Sequence, residues 1–193
     1  MTPAKFYVKQ YKRAKYSRPE GNGVAIGKLP EFALPKAIAG SSVLNHLLVS
    51  KYVDHLPLHR QIKMFSRIGM TLSDSTINDW IMGSVNLLTA LNDRQTHKLM
   101  QYAQDGILLI DNNLIENQIR PVAVGRKNYL FCGSHESAQR AAIIYSLLGT
   151  CKLNNVNPQD WLLDVLQKLP ARKANNIDDL LPQNWNPKLQ GVL

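Results

Sequence analysis

The sequence predicts a mainly α-helical protein with a few short strands. Apolar residues recur at helical spacing through most of the 193-residue chain, and proline and glycine divide these stretches into segments of ordinary helix length. With 45% hydrophobic residues, the chain is long enough for one ordinary domain or two small ones. Its longest apolar runs, such as residues 141–145, fall far short of a membrane span, and no signal peptide is evident. We therefore expect a cytoplasmic protein without a membrane partner.

The N-terminal arm carries most of the positive charge. Residues 1–36 contain eight Lys or Arg against two Glu, a net charge of +6 within a total of +9. Aromatic and basic residues alternate over residues 6–11, which predicts a short strand with one basic face. Lys9, Lys12 and Arg13 are therefore candidates for contacts with DNA phosphates, although a solvated basic tail explains the same charge.

Two helices should follow the arm. Ser41 or Ser42 is placed to cap a helix in which leucines recur at helical spacing and which ends near Asp54. A second helix should run from about Pro57 to Ile68, because proline is tolerated in a first turn. The polar face of this second helix carries three cations: Arg60, Lys63 and Arg67.

A glycine turn should connect the second helix to a third. Gly69 is placed to end the second helix, and Ser73 or Ser75 can cap the next one. This order is the outline of a helix-turn-helix unit, in which Arg60 and Lys63 are candidate DNA contacts. Plain packing of two helices is the alternative, and the basic charge of the chain favours the DNA-binding interpretation.

The second half of the chain continues this helical pattern. Residues 84–104 again have helical spacing, and the apolar residues 107–110 are typical of a brief strand. Ser134 should cap a long helix, Asn157-Pro158 should begin another, and residues 177–181 can form a last turn. Two cysteines, too few and too far apart for a zinc motif or a disulfide framework, are expected to be buried free thiols: Cys132 and Cys151.

The segment from Asp111 to Asn128 concentrates acids and cations around one short predicted helix, and it has a purely structural interpretation. Asn113 and Glu116 have the spacing of a capping box, in which the carboxylate reaches back to the first backbone N–H groups. Arg120 can pair with Glu116 across one helical turn. Beyond Pro121 the remaining cations would then be ordinary loop charges.

The same segment also has a functional interpretation. Glu116 would face a cleft as a metal ligand, because phosphoryl transfer through metal ions requires carboxylates. Arg120, Arg126 and Lys127 would contact nucleic-acid phosphates beside it, since the guanidinium fork matches phosphate oxygens.

Several short segments match a known family in the same order. The first are upstream: Pro35–Lys36, Ala39–Gly40, Val49–Gln61, Ser75–Thr76 and Trp80. The others are downstream: Ile110–Asn113, Glu116, Arg120–Pro121, Gly125–Asn128, Leu130–Phe131, Gly133–Ser134, Ala141–Ala142, Tyr145–Leu147, Lys152–Asn154, Leu180–Pro182 and Asn184–Trp185. Over nearly its whole length, the chain resembles the insertion sequence 66 transposases.

This resemblance implies an enzyme that cuts and joins DNA with an Asp-Asp-Glu triad on an RNase H-like fold. In such enzymes two divalent ions, Mg²⁺ or Mn²⁺, activate the nucleophile and stabilise the leaving oxygen. Glu116 matches the glutamate of the triad. The resemblance also implies the DNA ends of the element as a partner, with an intact transposase copy as a possible second partner.

The chain also departs from the family pattern. The family places two catalytic aspartates, on strands of its central sheet, between the tryptophan helix and the Asp-Asn-Asn motif. Here only residues 81–110 separate Trp80 from Asp111, and their only acids are Asp93 and Asp105. Each parallel crossover needs a dozen or more residues, so a sheet of several strands does not fit. We expect an internal deletion near residues 82–95, which leaves a remnant of the RNase H-like fold without most of its sheet.

A second departure concerns metals. The family carries a cysteine-rich, zinc-ribbon-like element in its arm, whereas this arm has no cysteine, so we expect no zinc site and no cofactor in this chain.

Four segments summarise the expected organisation. They are a basic arm and linker at 1–36, a helix-turn-helix-like region at 37–90, the junction and Asp-Asn-Asn motif at 91–133, and a C-terminal helical region at 134–193. We expect a transposase-like DNA-binding protein that lacks catalysis, because two of three acids are missing. The alternatives are a degenerate gene product without a function and an active metal-dependent DNA strand transferase.

Overall fold

The computed structural model describes residues 5–17, 23–99, 113–129 and 133–186. In these residues it contains one pair of short strands and six α-helices, which confirms the mainly helical class. The chain divides into a small unit, Met1–Glu31, and a larger helical unit, Phe32–Leu193.

The small unit contains an antiparallel hairpin. Strand β1 is Lys15–Ser17 and strand β2 is Val24–Ile26, with Lys15 opposite Ile26. The strand predicted over residues 6–11 is wrong, because residues 5–14 have no regular structure. Alternation alone does not form a strand, since its backbone groups need a hydrogen-bonding partner and β2 pairs with Lys15–Ser17 instead.

The larger unit contains all six helices: α1 (Ser41–Tyr52), α2 (Leu58–Arg67), α3 (Asp74–Leu99), α4 (Asn113–Tyr129), α5 (His135–Leu153) and α6 (Pro158–Lys168). Three predicted caps are confirmed by hydrogen bonds from backbone N–H groups. Ser73 Oγ accepts from Thr76 at 3.2 Å, Ser134 Oγ from Ser137 at 3.2 Å, and Asn157 Oδ1 from Gln159 at 2.9 Å.

Three helix boundaries differ from the prediction. The N-cap of α1 is Gly40, which has no side chain to offer, and Ser41 is the first helical residue. Helix α3 is one helix of 26 residues where the spacing predicted two. Helix α4 continues through Pro121, so Arg126 and Lys127 lie in its last turn and not in a loop. The predicted strand at 107–110 lies outside the described residues.

One hydrophobic core joins helices from both halves of the chain. Helix α1 packs on α6 and α3 packs on α5, so the region before residue 100 contacts the region after residue 132 directly. Side chains from four helices and from the segment after α6 are fully buried: Leu44, Leu47, Leu48, Ile77, Leu88, Leu91, Ile144, Leu147, Trp161, Leu162, Leu166 and Ile177. Phe65 adds α2 to the same core, whereas the described residues of α4 contribute none of its hydrophobic side chains.

Polar contacts fix the C-terminal segment against α6. The buried indole of Trp161 donates to the Leu180 carbonyl at 2.9 Å, where Asp178–Leu180 form the predicted last turn. Trp185 Nε1 donates to Asp164 Oδ2 at 3.0 Å, and Lys168 Nζ lies 2.7 Å from Asp164 Oδ1. The buried carboxylate therefore has partners for both oxygens, as a charge removed from water requires.

Two further expectations concern burial and membranes. The Cys151 thiol is fully buried, as predicted, and burial raises its pKa from 9.0 to about 12, while Cys132 lies outside the described residues. Among the described residues, no helix combines the length and the apolar character that crossing a membrane requires.

Candidate nucleic-acid interface

The candidate cations lie in three parts of the chain. Lys9, Lys12 and Arg13 belong to the small unit, where all three are exposed. Arg13 Nη1 donates to the Gly27 carbonyl at 3.3 Å, so this guanidinium is tied to the residue after β2. Its remaining N–H groups have no partner among the residues that the structure describes, so they can still donate to an anion.

Helix α2 carries the second group. Arg60, Lys63 and Arg67 are exposed, while Gln61 and Phe65 on the opposite side of the helix are buried. Gln61 Nε2 also donates to the Leu56 carbonyl at 3.0 Å, which anchors the buried side at the corner before α2. The helix therefore has a fixed orientation that keeps its cations in solvent.

The exposed side of α2 also carries a histidine that the sequence did not single out. His59 is exposed beside Arg60 and lies one turn before Lys63. Its position was readable from the helical spacing, and its imidazole adds a hydrogen-bonding group to this side. We call the side formed by Arg60, Lys63 and Arg67 the α2 cationic face.

No carboxylate neutralises this face within the part of the chain that the structure describes. Helix α2 contains no Asp or Glu. The ion pairs among the described residues all involve other cations: Arg94 with Asp178, Arg140 with Glu136, Lys168 with Asp164, and Arg172 with Asp179. The α2 cationic face therefore keeps its full attraction for an anionic partner.

The helix that follows α2 has a different electrostatic character. The exposed side of the first turns of α3 carries Asp74 and Asp79, and no cation occurs in α3 before Arg94. The connection between α2 and α3 spans residues 68–73 and turns at Gly69, with φ of +87°. It is longer than the three or four residues of a typical helix-turn-helix turn.

Polar side chains at the start of α3 are also engaged within that helix. Asn78 Nδ2 donates to the Asp74 carbonyl at 2.8 Å. The Ser75 hydroxyl lies 2.9 Å from that of Ser73, which also caps the helix through Thr76. A recognition helix needs such groups free for base edges.

Helix α4 carries the third group of candidates. Arg120, Arg126 and Lys127 are exposed, and the spacing of seven places Arg120 and Lys127 on one face. Glu116 lies one turn before Arg120, where the structure describes only its backbone. Asp111, at the start of the motif, lies outside the described residues.

Comparison with curated proteins finds relatives that match parts of this chain. It is 38% identical over 84 residues to uncharacterized protein y4hP of Sinorhizobium fredii, which covers 44% of this chain and 15% of that protein. It is 39% identical over 94 residues to uncharacterized protein y4qI of the same organism, which covers 48% of this chain and 17% of that protein. Uncharacterized protein YuaK of Escherichia coli K12 is 42% identical over 48 residues, 25% of this chain and 51% of that protein. No solved structure matches the chain.

Family models match most of the helical unit. The model of the IS66 C-terminal element matches residues 146–183, which contain the last eight residues of α5, all of α6 and the Trp161–Leu180 hydrogen bond. The model of the transposase IS66 family matches residues 36–101 and 93–140, which contain α1 to α4. These matches cover more than half of the sequence in the order that the short motifs predict. The chain belongs to the IS66 family of transposases.

Proposed function

We propose that this chain is a transposase-like protein that binds DNA and does not catalyse strand transfer. The observation that carries the proposal is the continuity of α3 across the interval where the family has its first two catalytic acids. Helix α3 occupies Asp74–Leu99, so only residues 100–112 separate it from α4. One parallel crossover alone needs about a dozen residues, which leaves no length for a catalytic sheet.

We do not expect the acids in this interval to supply the missing ligands. Asp93 is exposed on α3, in helical and not in strand context, and Asp105 lies outside the described residues. Two divalent ions need several carboxylates to hold them about 4 Å apart. Glu116 alone does not meet that requirement, so the Mg²⁺ or Mn²⁺ chemistry of intact family members is not expected here.

An internal deletion explains the divided family match. The two matched segments, 36–101 and 93–140, overlap on residues 93–101. A family model matches in two pieces when its middle part has no counterpart in the chain. This supports a junction at about the end of α3, slightly after the interval 82–95 that the sequence suggests. In this interpretation α4 is the remnant of an RNase H-like catalytic domain, and it retains the position of the third acid.

The contiguous core supports a folded protein over a degenerate product. Deleting a central sheet would expose the helix faces that covered it, but α3 and α5 pack on each other here. The buried side chains of both helices belong to the same cluster as those of α1 and α6. A folded scaffold with unpaired surface cations is what a non-catalytic DNA-binding protein requires.

A strand-transfer assay tests the catalytic part of the proposal. The purified chain, an intact family transposase and a Glu116→Gln variant are incubated with duplex DNA carrying the ends of the element, with Mg²⁺ or Mn²⁺. We expect product from the intact enzyme alone. Product from this chain that disappears in the Glu116→Gln variant would show that it retains an active site.

A gel-shift titration tests the DNA-binding part. Duplexes with the ends of the element and with shuffled sequence are compared at one salt concentration, because affinities depend strongly on salt. We expect binding to both, with a preference for the ends. An excess of the chain should also reduce strand transfer by the intact transposase, since both proteins would compete for the same DNA. Absence of any shift at physiological salt contradicts the proposal.

A further inference from the structure

We infer that the α2 cationic face holds the phosphate backbone of duplex DNA, and that α3 does not act as a recognition helix. This inference rests on the proposed DNA binding and specifies its surface and mode. It differs from the expectation for a helix-turn-helix, in which the second helix enters the major groove and reads bases.

The geometry of the face fits a row of phosphates. At 100° per residue, Arg60, Lys63 and Arg67 lie within an arc of about 60°, and they extend over about 10 Å of helix axis. Long Arg and Lys side chains in such a row can each reach one phosphate of the same stretch of backbone, so three phosphate contacts are expected. The buried side chains of Gln61 and Phe65 hold the helix so that this row faces solvent.

The charges of α3 oppose a groove-reading role. A helix in the major groove is flanked by phosphates on both sides, and Asp74 and Asp79 would be repelled by them. The Asn78 amide, which could otherwise read an adenine, donates to the Asp74 carbonyl. If the affinity for DNA comes from phosphate contacts of α2, and α3 makes no base contacts, this part of the affinity does not depend on the DNA sequence.

The composition of the face favours duplex over single-stranded nucleic acid. Proteins that hold single strands stack the bases on exposed aromatic side chains. The exposed residues of α2 include no Phe, Tyr or Trp, and the one such residue of this helix, Phe65, is 3% exposed. Cations without stacking platforms suit a duplex, whose bases are already stacked.

Fluorescence anisotropy with labelled duplexes tests the inference on the full chain. The variant Arg60→Gln/Lys63→Gln/Arg67→Gln removes the three charges from exposed positions while keeping good helix formers. We expect the slope of log K against log [salt] to become less steep by about 2.7, or about 0.9 for each lost phosphate contact. Affinity should fall by the same factor for end and shuffled duplexes, so their ratio stays unchanged.

Three control proteins make the result specific. Lys152→Gln/Lys173→Gln removes two exposed cations elsewhere and should reduce the slope less than the α2 variant. Arg60→Lys/Arg67→Lys keeps the charges and should bind nearly as the unchanged chain does. Asn78→Ala on α3 should leave the ratio of end to shuffled affinity unchanged.

The outcomes separate this inference from the proposed function. If the unchanged chain binds no DNA, both fail. If it binds DNA and the α2 variant binds with the same affinity and slope, the inference fails and the proposed function stands. A change of the end-to-shuffled ratio in Asn78→Ala, or tighter binding to single strands than to duplex, also overturns the inference.

Discussion

The packing of α3 on α5 predicts that the two halves of the family sequence unfold together. Leu88 on α3 is 0% exposed and Leu147 on α5 is 1% exposed, in one cluster of buried side chains. The Gln95 side chain also donates to the Thr150 hydroxyl between the same helices. Because residues before 100 and after 132 share this core, neither part has a complete core of its own.

Truncating either leucine tests whether the two halves of the chain unfold together. Leu88→Ala and Leu147→Ala each remove a fully buried side chain and leave a cavity, which costs about 2–5 kcal/mol of unfolding free energy. For a unit of this size, 1 kcal/mol shifts Tm by about 2–4 °C, so we expect each variant to melt about 4–20 °C lower. Differential scanning calorimetry and circular dichroism should show one helical transition that shifts as a whole in both variants.

The contrary result is two resolved transitions in the unchanged chain, with Leu88→Ala shifting one and Leu147→Ala the other. That pattern would show that the halves fold separately, and it would remove the structural support for a self-contained scaffold. Leu153→Ala is the matched control, because Leu153 lies at the end of α5 and is 54% exposed. This substitution should change the unfolding free energy by no more than about 0.5 kcal/mol.

Four other perturbations have defined outcomes. Trp161→Phe leaves the buried Leu180 carbonyl without its donor and should cost about 1–3 kcal/mol in urea unfolding, with a smaller loss contradicting the role of this hydrogen bond. Asn157→Ala removes the cap of α6 and should cost about 0.5–2 kcal/mol by the same measurement. In a Cys132→Ser background, Cys151 should resist a thiol reagent at pH 8 until the protein unfolds, because burial raises its pKa to about 12. Since this pKa is higher in the folded state, its contribution to stability is complete below about pH 9 and should decrease between about pH 9 and 12, as a titration of unfolding free energy would show.

The helical part of the fold was largely predictable because its signals are local. Ser134 and Asn157 accept hydrogen bonds from nearby backbone N–H groups, and Gly69 adopts a φ of +87° where the sequence places the end of α2. These interactions involve residues within a few positions of one another. A pattern in the sequence is then sufficient to locate them.

The wrong predictions concern a strand and a helix boundary. Both depend on interactions beyond a short window of sequence. The alternation at residues 6–11 suggested a strand, but pairing with Val24–Ile26 falls on Lys15–Ser17. Pro121 suggested the end of a helix, but α4 continues through it, although proline removes one internal hydrogen bond. Neither outcome can be read from a short window of sequence.

The candidate interface was predictable in part. Helical spacing already placed Arg60 and Lys63 on the polar face of α2, and the structure shows both exposed. The helix-turn-helix outline did not by itself distinguish the roles of α2 and α3, although the acids of α3, Asp74 and Asp79, were present in the sequence. Helix order suggested a DNA-binding unit, and the distribution of charge on that unit favours α2 over α3 as the helix that we propose to contact DNA.

The segments that carry the family resemblance make hydrogen bonds that stabilise the fold of this chain. The segment Val49–Gln61 forms the corner between α1 and α2, where Gln61 Nε2 bonds the Leu56 carbonyl and the Leu56 N–H bonds the Ser50 carbonyl at 2.8 Å. At the other end, Leu180 accepts from Trp161, and Trp185 donates to Asp164.

These contacts hold the helical scaffold and require no catalytic sheet. A chain can therefore retain them, and with them a clear likeness to a transposase, whether or not it carries a catalytic sheet. Glu116 belongs to α4, the helix whose described residues add no hydrophobic side chain to the core. Replacing Glu116, which we propose as the counterpart of the third acid, should consequently leave the unfolding free energy of the scaffold unchanged.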